Sequence, residues 1–435
     1  MQHGEFVGRQ RALLRLADAL RDRRSAATGV LAWVEGEAGI GKTLLIRRFL
    51  DQAGDVRPAG TRGRAGSLAL RMVGVDEADG EVTWAVTERL LSGAPGWSSA
   101  EAGADPYAVG VGMVDVFTRW SALGPLVVVV DDLHDADLPS ATALAFAAGR
   151  LPSGTLLVVA ARPDHVERLG ERWRRLSRAG ETLRVVLEGL EPDEVRQLAA
   201  RMGVRLTVAG ARRLWEHARG HPLHCRSLLA ELEPAAIESA PGILPAPQAF
   251  AELVASRLET LGEPSRRFAE AGSVLGLRFS LANAAAMAGV PDAVAALEQS
   301  VDAGILEAAP GSSLGAASFV HPLVRAAVYS GIGLRQRAAL HRAAATLGHG
   351  VVRLDHLVAA ANGPDARLAG ELAAAAGRFG VGHSARLMGL AARLSPDGRL
   401  RSARVLLAAE DHLTRGDLRA ADELRDEIES MAASP

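Results

Sequence analysis

Val30-Leu31-Ala32-Trp33-Val34, followed by Gly36-Glu37-Ala38-Gly39-Ile40-Gly41-Lys42-Thr43, is the stretch that decides the fold. The apolar pentapeptide predicts a short buried strand. Thr43 to Leu50 has the spacing of an amphipathic helix. Between them stands a full match to G-x-x-x-x-G-K-[ST]. Glycines at such a turn let backbone N–H groups converge on phosphate oxygens at a helix N-terminus, where the helix dipole also favours anions. Lys42 is placed to reach the β- and γ-phosphates, and the Thr43 hydroxyl to hold Mg²⁺. Gly36, Glu37, Ala38, Gly39, Ile40, Gly41, Lys42, Thr43 and Leu44 are therefore the candidate phosphate contacts. Of 49 basic residues only Lys42 is a lysine, and the rest are arginine. The one site that keeps lysine is thus a site that needs a compact ammonium.

Downstream, Leu126-Val127-Val128-Val129-Val130 runs into Asp131-Asp132. A continuous apolar run suits a strand covered on both faces, and acids at its carboxyl end lie where ligands bind in open α/β sheets. Asp131 is the expected Mg²⁺ partner, directly or through water, and Asp132 the group to polarise an attacking water. The alternative for the pair is an ordinary strand end with a helix cap. A third run, Leu156 to Ala161, ends in Arg162 before Pro163. A guanidinium there can sense the γ-phosphate, or form a surface salt bridge.

Strands near 30–35, 126–131, 156–161 and 183–187 alternate with helical stretches, which predicts a parallel, three-layer α/β phosphate-loop domain over 1–188. Asp55 to Gly66 offers one more strand, and Gly93 to Asp105 reads as a loop. After Leu190 helical periodicity takes over, giving a helical lid over 189–235, opened by Glu191-Pro192-Asp193-Glu194. A Pro/Ala-rich linker, Glu233 to Pro247, precedes a winged-helix-like domain over 236–332. Its expected β-wing is Gly304-Ile305-Leu306 with Ala317 to Val320. Alanine-rich helices fill 333–435. There Gly382-His383-Ser384-Ala385 and Gly416-Asp417-Leu418-Arg419 are spaced as in tetratricopeptide-like hairpins.

The 435 residues suffice for about three domains, with 48% hydrophobic and 23% charged residues. Aromatics are only 4%, so the core rests on Ala, Leu and Val. A net charge of −2 gives no global footprint for nucleic acid. No apolar run is long enough to cross a bilayer, the amino terminus has no secretory pattern, and Cys225 is the single cysteine. These features point to a cytoplasmic protein with no membrane partner.

Together the motifs resemble the STAND class of P-loop ATPases, and within it the large ATP-binding LuxR-type (MalT-like) transcriptional regulators, over most of residues 5 to 350. Phe6-Val7-Gly8-Arg9 is similar to the opening motif that lies against adenine, with Gln10 in place of the usual acid. Asp131-Asp132-Leu133-His134 resembles the Walker B segment, with Asp135 where a Trp is common. Arg162 falls on the sensor arginine. Gly220-His221-Pro222-Leu223 matches a Gly-x-Pro motif of the lid, which makes Pro222 a nucleotide contact. Phe319 to Arg325 looks like the end of the winged-helix domain, where a histidine contacts the ADP β-phosphate. The candidate is His321, whose alternative is a hydrogen-bonded core histidine.

The resemblance implies an ATP/ADP switch with slow hydrolysis, an inducer or protein partner at the helical C-terminal region, and nucleotide-dependent self-association. It also implies a long helical array ending in a DNA-binding helix-turn-helix. The sequence ends at Pro435, inside that expected array, so no direct DNA-binding domain is expected here. The wing region, 249–330, holds five arginines and eight acids, the wrong sign for DNA. A turnover motor of the AAA+ type is the alternative. It calls for Glu where Asp132 stands and for an arginine from a neighbouring subunit. A scaffold with purely structural nucleotide is a third reading, and a small-molecule kinase is least supported. His217, His221, His224 and Cys225 cluster in sequence without a standard zinc spacing, so no zinc is expected. The basic run Arg168 to Arg178 reads as a solvated helix face.

Overall fold

A computed structural model describes residues 6–22, 28–54, 56–61, 67–95, 97, 98, 100, 103–239, 242–308, 315–378, 381–414, 421 and 424. They fall into two compact units, 1–241 and 242–435.

The first unit runs α1 (Gln10–Asp22), β1 (Val30–Glu35), α2 (Lys42–Gln52), β2 (Val56–Pro58), β3 (Leu68–Gly74), α3 (Ala85–Leu91) and α4 (Pro106–Ala122). It continues with β4 (Leu126–Asp131), α5 (Leu138–Ala148), β5 (Thr155–Ala161), α6 (Glu171–Arg178) and β6 (Leu183–Val186). Four helices follow: α7 (Pro192–Arg201), α8 (Val208–Ala218), α9 (Pro222–Glu231) and α10 (Pro234–Ser239). The six strands form one parallel sheet in the order β2-β3-β4-β5-β1-β6. This is the α/β phosphate-loop fold that the sequence predicts, followed by helices.

Alternation along the central strands divides the core into two layers, because successive side chains point to opposite faces. Leu31, Trp33, Val128, Val130, Leu157 and Val159 face α4, α5 and α6, where Phe117, Leu144 and Trp173 pack. Ala32, Val34, Val127, Val129, Leu156 and Val158 face the other way, against Leu16, Leu45, Ile46 and Phe49. Both faces being covered explains why β4 reads as an unbroken apolar run.

Two findings differ from the sequence reading. The expected extra strand, Asp55 to Gly66, reduces to Val56–Pro58 within the described residues, while Leu68–Gly74 is a full strand that the pattern does not announce. Arg71 interrupts its apolar run. Arg71 is accommodated because its Nε donates to the Leu90 carbonyl at 2.8 Å. The expected linker Glu233 to Pro247 begins with a helix instead. In α10, Ile237 is buried and Glu238 accepts the Thr207 N–H at 2.6 Å, tying this segment to α8.

The second unit contains α11 (Gln248–Glu259), α12 (Glu263–Leu275), β7 (Arg278–Ser280), α13 (Leu281–Ala288), α14 (Ala293–Asp302), β8 (Leu306–Ala308), β9 (Ala316–Phe319) and α15 (Pro322–Gly331). Its strands form an antiparallel sheet, β7-β9-β8, whose β8–β9 pair occupies the expected wing. Phe268, Phe279 and Phe319 make its aromatic centre, with ring centroids 5.9 and 5.7 Å apart in sequence order. Then come α16 (Leu334–Leu347), α17 (Gly350–Ala360), α18 (Ala366–Ala376), α19 (Val381–Leu394) and α20 (Gly398–Thr414). Leu354, Leu372, Leu387 and Leu390 form the seam of these helices with alanines between them. Of the two hairpin signatures, residues 382–385 lie at the start of α19, and residues 416–419 lie outside the described residues. Among the described residues no helix is long and apolar enough to cross a membrane.

Candidate functional site

The carboxyl edge of the sheet carries the site. Gly39 and Gly41 have φ of +76° and +104°, values that a side chain makes costly. Gly41 caps α2, so the free N–H groups of its first turn face the end of the sheet. Lys42 is buried, and its Nζ donates to the carbonyls of Gly36 and Glu37, both at 3.0 Å. Burial pulls its pKa below the usual ammonium range, and the Asp132 carboxylate opposes that shift from 4.0 Å.

β5 lies between β1 and β4, so three strand ends meet here. Asp131 ends β4 as a buried carboxyl. Burial pushes its pKa up, opposed chiefly by a hydrogen bond from the Thr43 hydroxyl. Its Oδ1 has no hydrogen-bond partner among the described residues. A buried carboxylate oxygen beside a hydroxyl is a hard-oxygen pair of the kind that suits Mg²⁺. Asp132 takes a left-handed backbone, φ 57° and ψ 42°, which turns its carboxylate out toward Lys42. Arg162, directly after β5, lines the same pocket, and its Nε has no hydrogen-bond partner among the described residues.

That pocket has a volume of about 250 Å³. Phe6, Val7 and Arg9 enter it from the amino-terminal segment, and Ala38 to Leu44 from the loop and α2. Asp132 and Arg162 come from the sheet, and Pro222 from α9. Gly8 and Arg9 are consecutive left-handed residues, at φ 70° and 65°. The kink lets Arg201 donate to the Phe6 carbonyl at 2.7 Å and turns Arg9 toward the Ile40 carbonyl at 3.4 Å. Burial lowers the Arg9 pKa, with Glu194 the main opposing charge.

The sequence reading omits four lining residues, Leu190, Leu198, Leu223 and Arg226. Leu223 stands in the quoted lid motif, and Arg226 lies four residues, about one helical turn, beyond Pro222. Of the predicted residues, Gly36 and Glu37 serve the loop through their carbonyls, and Gly8 through its backbone turn. His321 belongs to the second unit. There it caps α15, its Nδ1 accepting the Leu323 N–H at 3.1 Å. Cys225 is buried, its thiol pushed up to about 12, and no metal-binding cluster occurs among the described residues.

Residues 5–159 match the family model described as AAA ATPase domain, so ATPase chemistry of the AAA type is the class to which this segment is similar. A search of curated proteins finds no match to the chain. Among solved structures, a Signal Transduction ATPase with Numerous Domains protein with a tetratricopeptide repeat sensor from Pyrococcus horikoshii is 17% identical, with a TM-score of 0.30. The alignment covers 98% of this chain and 64% of that one, so this chain spans less than two thirds of that protein's length. The Aeropyrum pernix ORC2 protein is 12% identical over 75% of this chain and 93% of its own, with a TM-score of 0.46. Thermotoga maritima RuvB is 17% identical over 73% and 96%, with a TM-score of 0.34. These likenesses assign no activity to the chain.

Proposed function

We propose that the chain is an ATP/ADP-binding signalling switch with slow hydrolysis, of the STAND type and akin to the LuxR-type regulators. The observation that carries it is the single pocket in which the phosphate loop, Asp132, Arg162 and the lid residue Pro222 meet. Lys42 and the loop N–H groups bind the phosphates. Thr43 and Asp131 hold Mg²⁺, which supplies charge neutralisation at the phosphate oxygens. Asp132 polarises the attacking water, and Arg162 answers to the γ-phosphate. Phe6 and Val7, with Leu190, Leu198 and Pro222, offer the base an apolar slot.

In this reading 1–188 is the nucleotide domain, 189–235 its lid, 236–332 a winged-helix-like domain with His321 as the ADP latch, and 333–435 the helical region that receives an inducer or partner. ADP favours the resting form, while ATP favours a form competent to self-associate. Transcriptional control and a cytoplasmic location belong to the same proposal. A turnover motor is the second reading, favoured by the AAA ATPase domain match. The aspartate at 132, where that reading calls for glutamate, weighs toward the switch.

The test is to denature freshly purified protein, identify the released nucleotide by chromatography, and then measure steady-state hydrolysis. The switch predicts near-stoichiometric ADP, absent from Lys42→Ala, and turnover well below about 1 s⁻¹, the low end of ordinary enzymes. An empty wild-type site, or turnover in the ordinary enzymatic range, would overturn it.

A further inference from the structure

Four carbonyl groups of the phosphate loop face side-chain donors. Lys42 takes those of Gly36 and Glu37, and Arg9 approaches that of Ile40. A fourth, that of Ala38, is held from the lid by His221, whose Nε2 lies 2.9 Å from the carbonyl oxygen. With the proton on Nε2 the ring donates, and a carbonyl admits no other arrangement.

His221 is built to stay there. It is only 5% exposed and sits at the N-cap of α9. Its own N–H donates to the Ala218 carbonyl at 2.9 Å, and its carbonyl accepts the Cys225 N–H at 2.9 Å. The preceding Gly220, at φ +68°, packs so closely that a Cβ would come within 2.1 Å of the Leu190 carbonyl oxygen. The lid also presses on the next residue of the loop. A Cβ on Gly39 would lie 2.8 Å from Leu223 Cδ2 and 3.2 Å from His221 Cε1. One hydrogen bond and one packed contact therefore fix the tip of the loop to the first turn of α9. Pro222, in the same turn, lines the pocket.

We infer that His221 is the positioning residue through which the lid sets the phosphate loop, so that movement of α9 changes how long a nucleoside diphosphate stays bound. The inference rests on the nucleotide reading of the pocket. When α9 is seated, the loop amides stay aimed at the phosphates. When α9 moves, the Ala38 carbonyl loses its donor and the loop tip is free to turn.

Displacement of a fluorescent ADP analogue by excess ADP, followed by stopped flow on the full chain, reads this directly. His221→Asn supplies a good helix-capping group but is too short to reach Ala38. His221→Gln extends an amide N–H to about the reach of the ring Nε2. We expect about tenfold faster release from His221→Asn, equivalent to about 1.4 kcal/mol, and release within about threefold of wild type from His221→Gln. Rescue by Gln separates a donor role from mere filling of space. If Asn fails to fold, as judged by circular dichroism, His221→Ser takes its place with the same expectation. Release from the short variant within about twofold of wild type, or Gln as fast as Asn, overturns the inference. A wild-type chain that does not bind the analogue overturns the nucleotide reading, and the positioning role of His221 with it.

Discussion

At the carboxyl edge of the sheet, the site depends on residue types that admit no substitute. Gly39 and Gly41 hold left-handed backbones, and the chain's single lysine is buried between two carbonyls and a carboxylate. In the helices of the second unit the seam is leucine and alanine, in which many equivalent residues would pack. There the specific polar device is a short chain on α15, α16 and α17: Tyr329 to His341 at 2.9 Å, and His341 to His356 at 3.0 Å. The difference teaches that the first unit encodes a chemical task in backbone angles and charges. The second encodes mostly a shape.

Substitutions can break or sharpen this contrast. The largest effect is expected from Asp132→Asn, which removes the negative charge facing Lys42 while keeping the side chain's size. Hydrolysis should fall about 10²-fold with ADP affinity changed less than about threefold, measured by single-turnover assay and titration. Equal loss of both would make Asp132 a binding group and erase the distinction between its role and that of Lys42.

Next is Gly272→Ala in α12. Its Cβ would meet Phe279 Cζ at 2.5 Å, inside the aromatic centre of the second unit. Overpacking should cost about 1–3 kcal/mol in thermal or urea unfolding, with nucleotide affinity unchanged. A parallel loss of ADP binding would show that the two units do not fail separately.

The histidine chain gives a pH-dependent effect. Burial, then the neighbouring His356, Arg337 and Arg325, hold the His341 pKa down at about 4. The unfolded chain takes up this proton near pH 6.5, so between pH 6.5 and 4 it binds more protons than the folded one. The contribution is therefore complete above about pH 6.5 and is lost as pH falls toward 4, by at most about 1.4 kcal/mol per pH unit. His341→Gln should flatten that part of the pH–melting profile, and an unchanged slope would refute the assignment.

The smallest effect should come from α6. Arg174 and Arg175 pair with Glu171 on an exposed face, while Trp173 on the other side is buried. Replacing both arginines with Gln should shift stability by less than about 0.5 kcal/mol and leave nucleotide binding alone. A marked loss of binding would instead reveal a partner or anion surface in the Arg168 to Arg178 run.

What the sequence disclosed follows from how each feature is written. β1, β4 and β5 were legible because strands buried on both faces must be continuously apolar. The phosphate loop was legible because its glycines and lysine have no substitutes. β3 was hidden because Arg71 finds its partner 19 residues away, at a carbonyl that no local pattern announces. The linker reading of 233–247 missed α10 because the Glu238–Thr207 bond spans 31 residues. The role of His221 was equally hidden, since Ala38 lies 183 residues earlier in the chain. Local chemistry was readable and long-range hydrogen bonding was not.

The turn at Asp132 also limits what this site can become. Its left-handed backbone suits Asn, Asp and Gly, whose short or absent side chains tolerate that region, and it disfavours longer ones. A change to glutamate, the acid of the motor reading, lengthens the side chain and strains the main chain together. Arg9, at φ 65°, shows that this chain does hold a long side chain at such an angle, so glutamate at 132 would strain the peptide after β4 without being forbidden there.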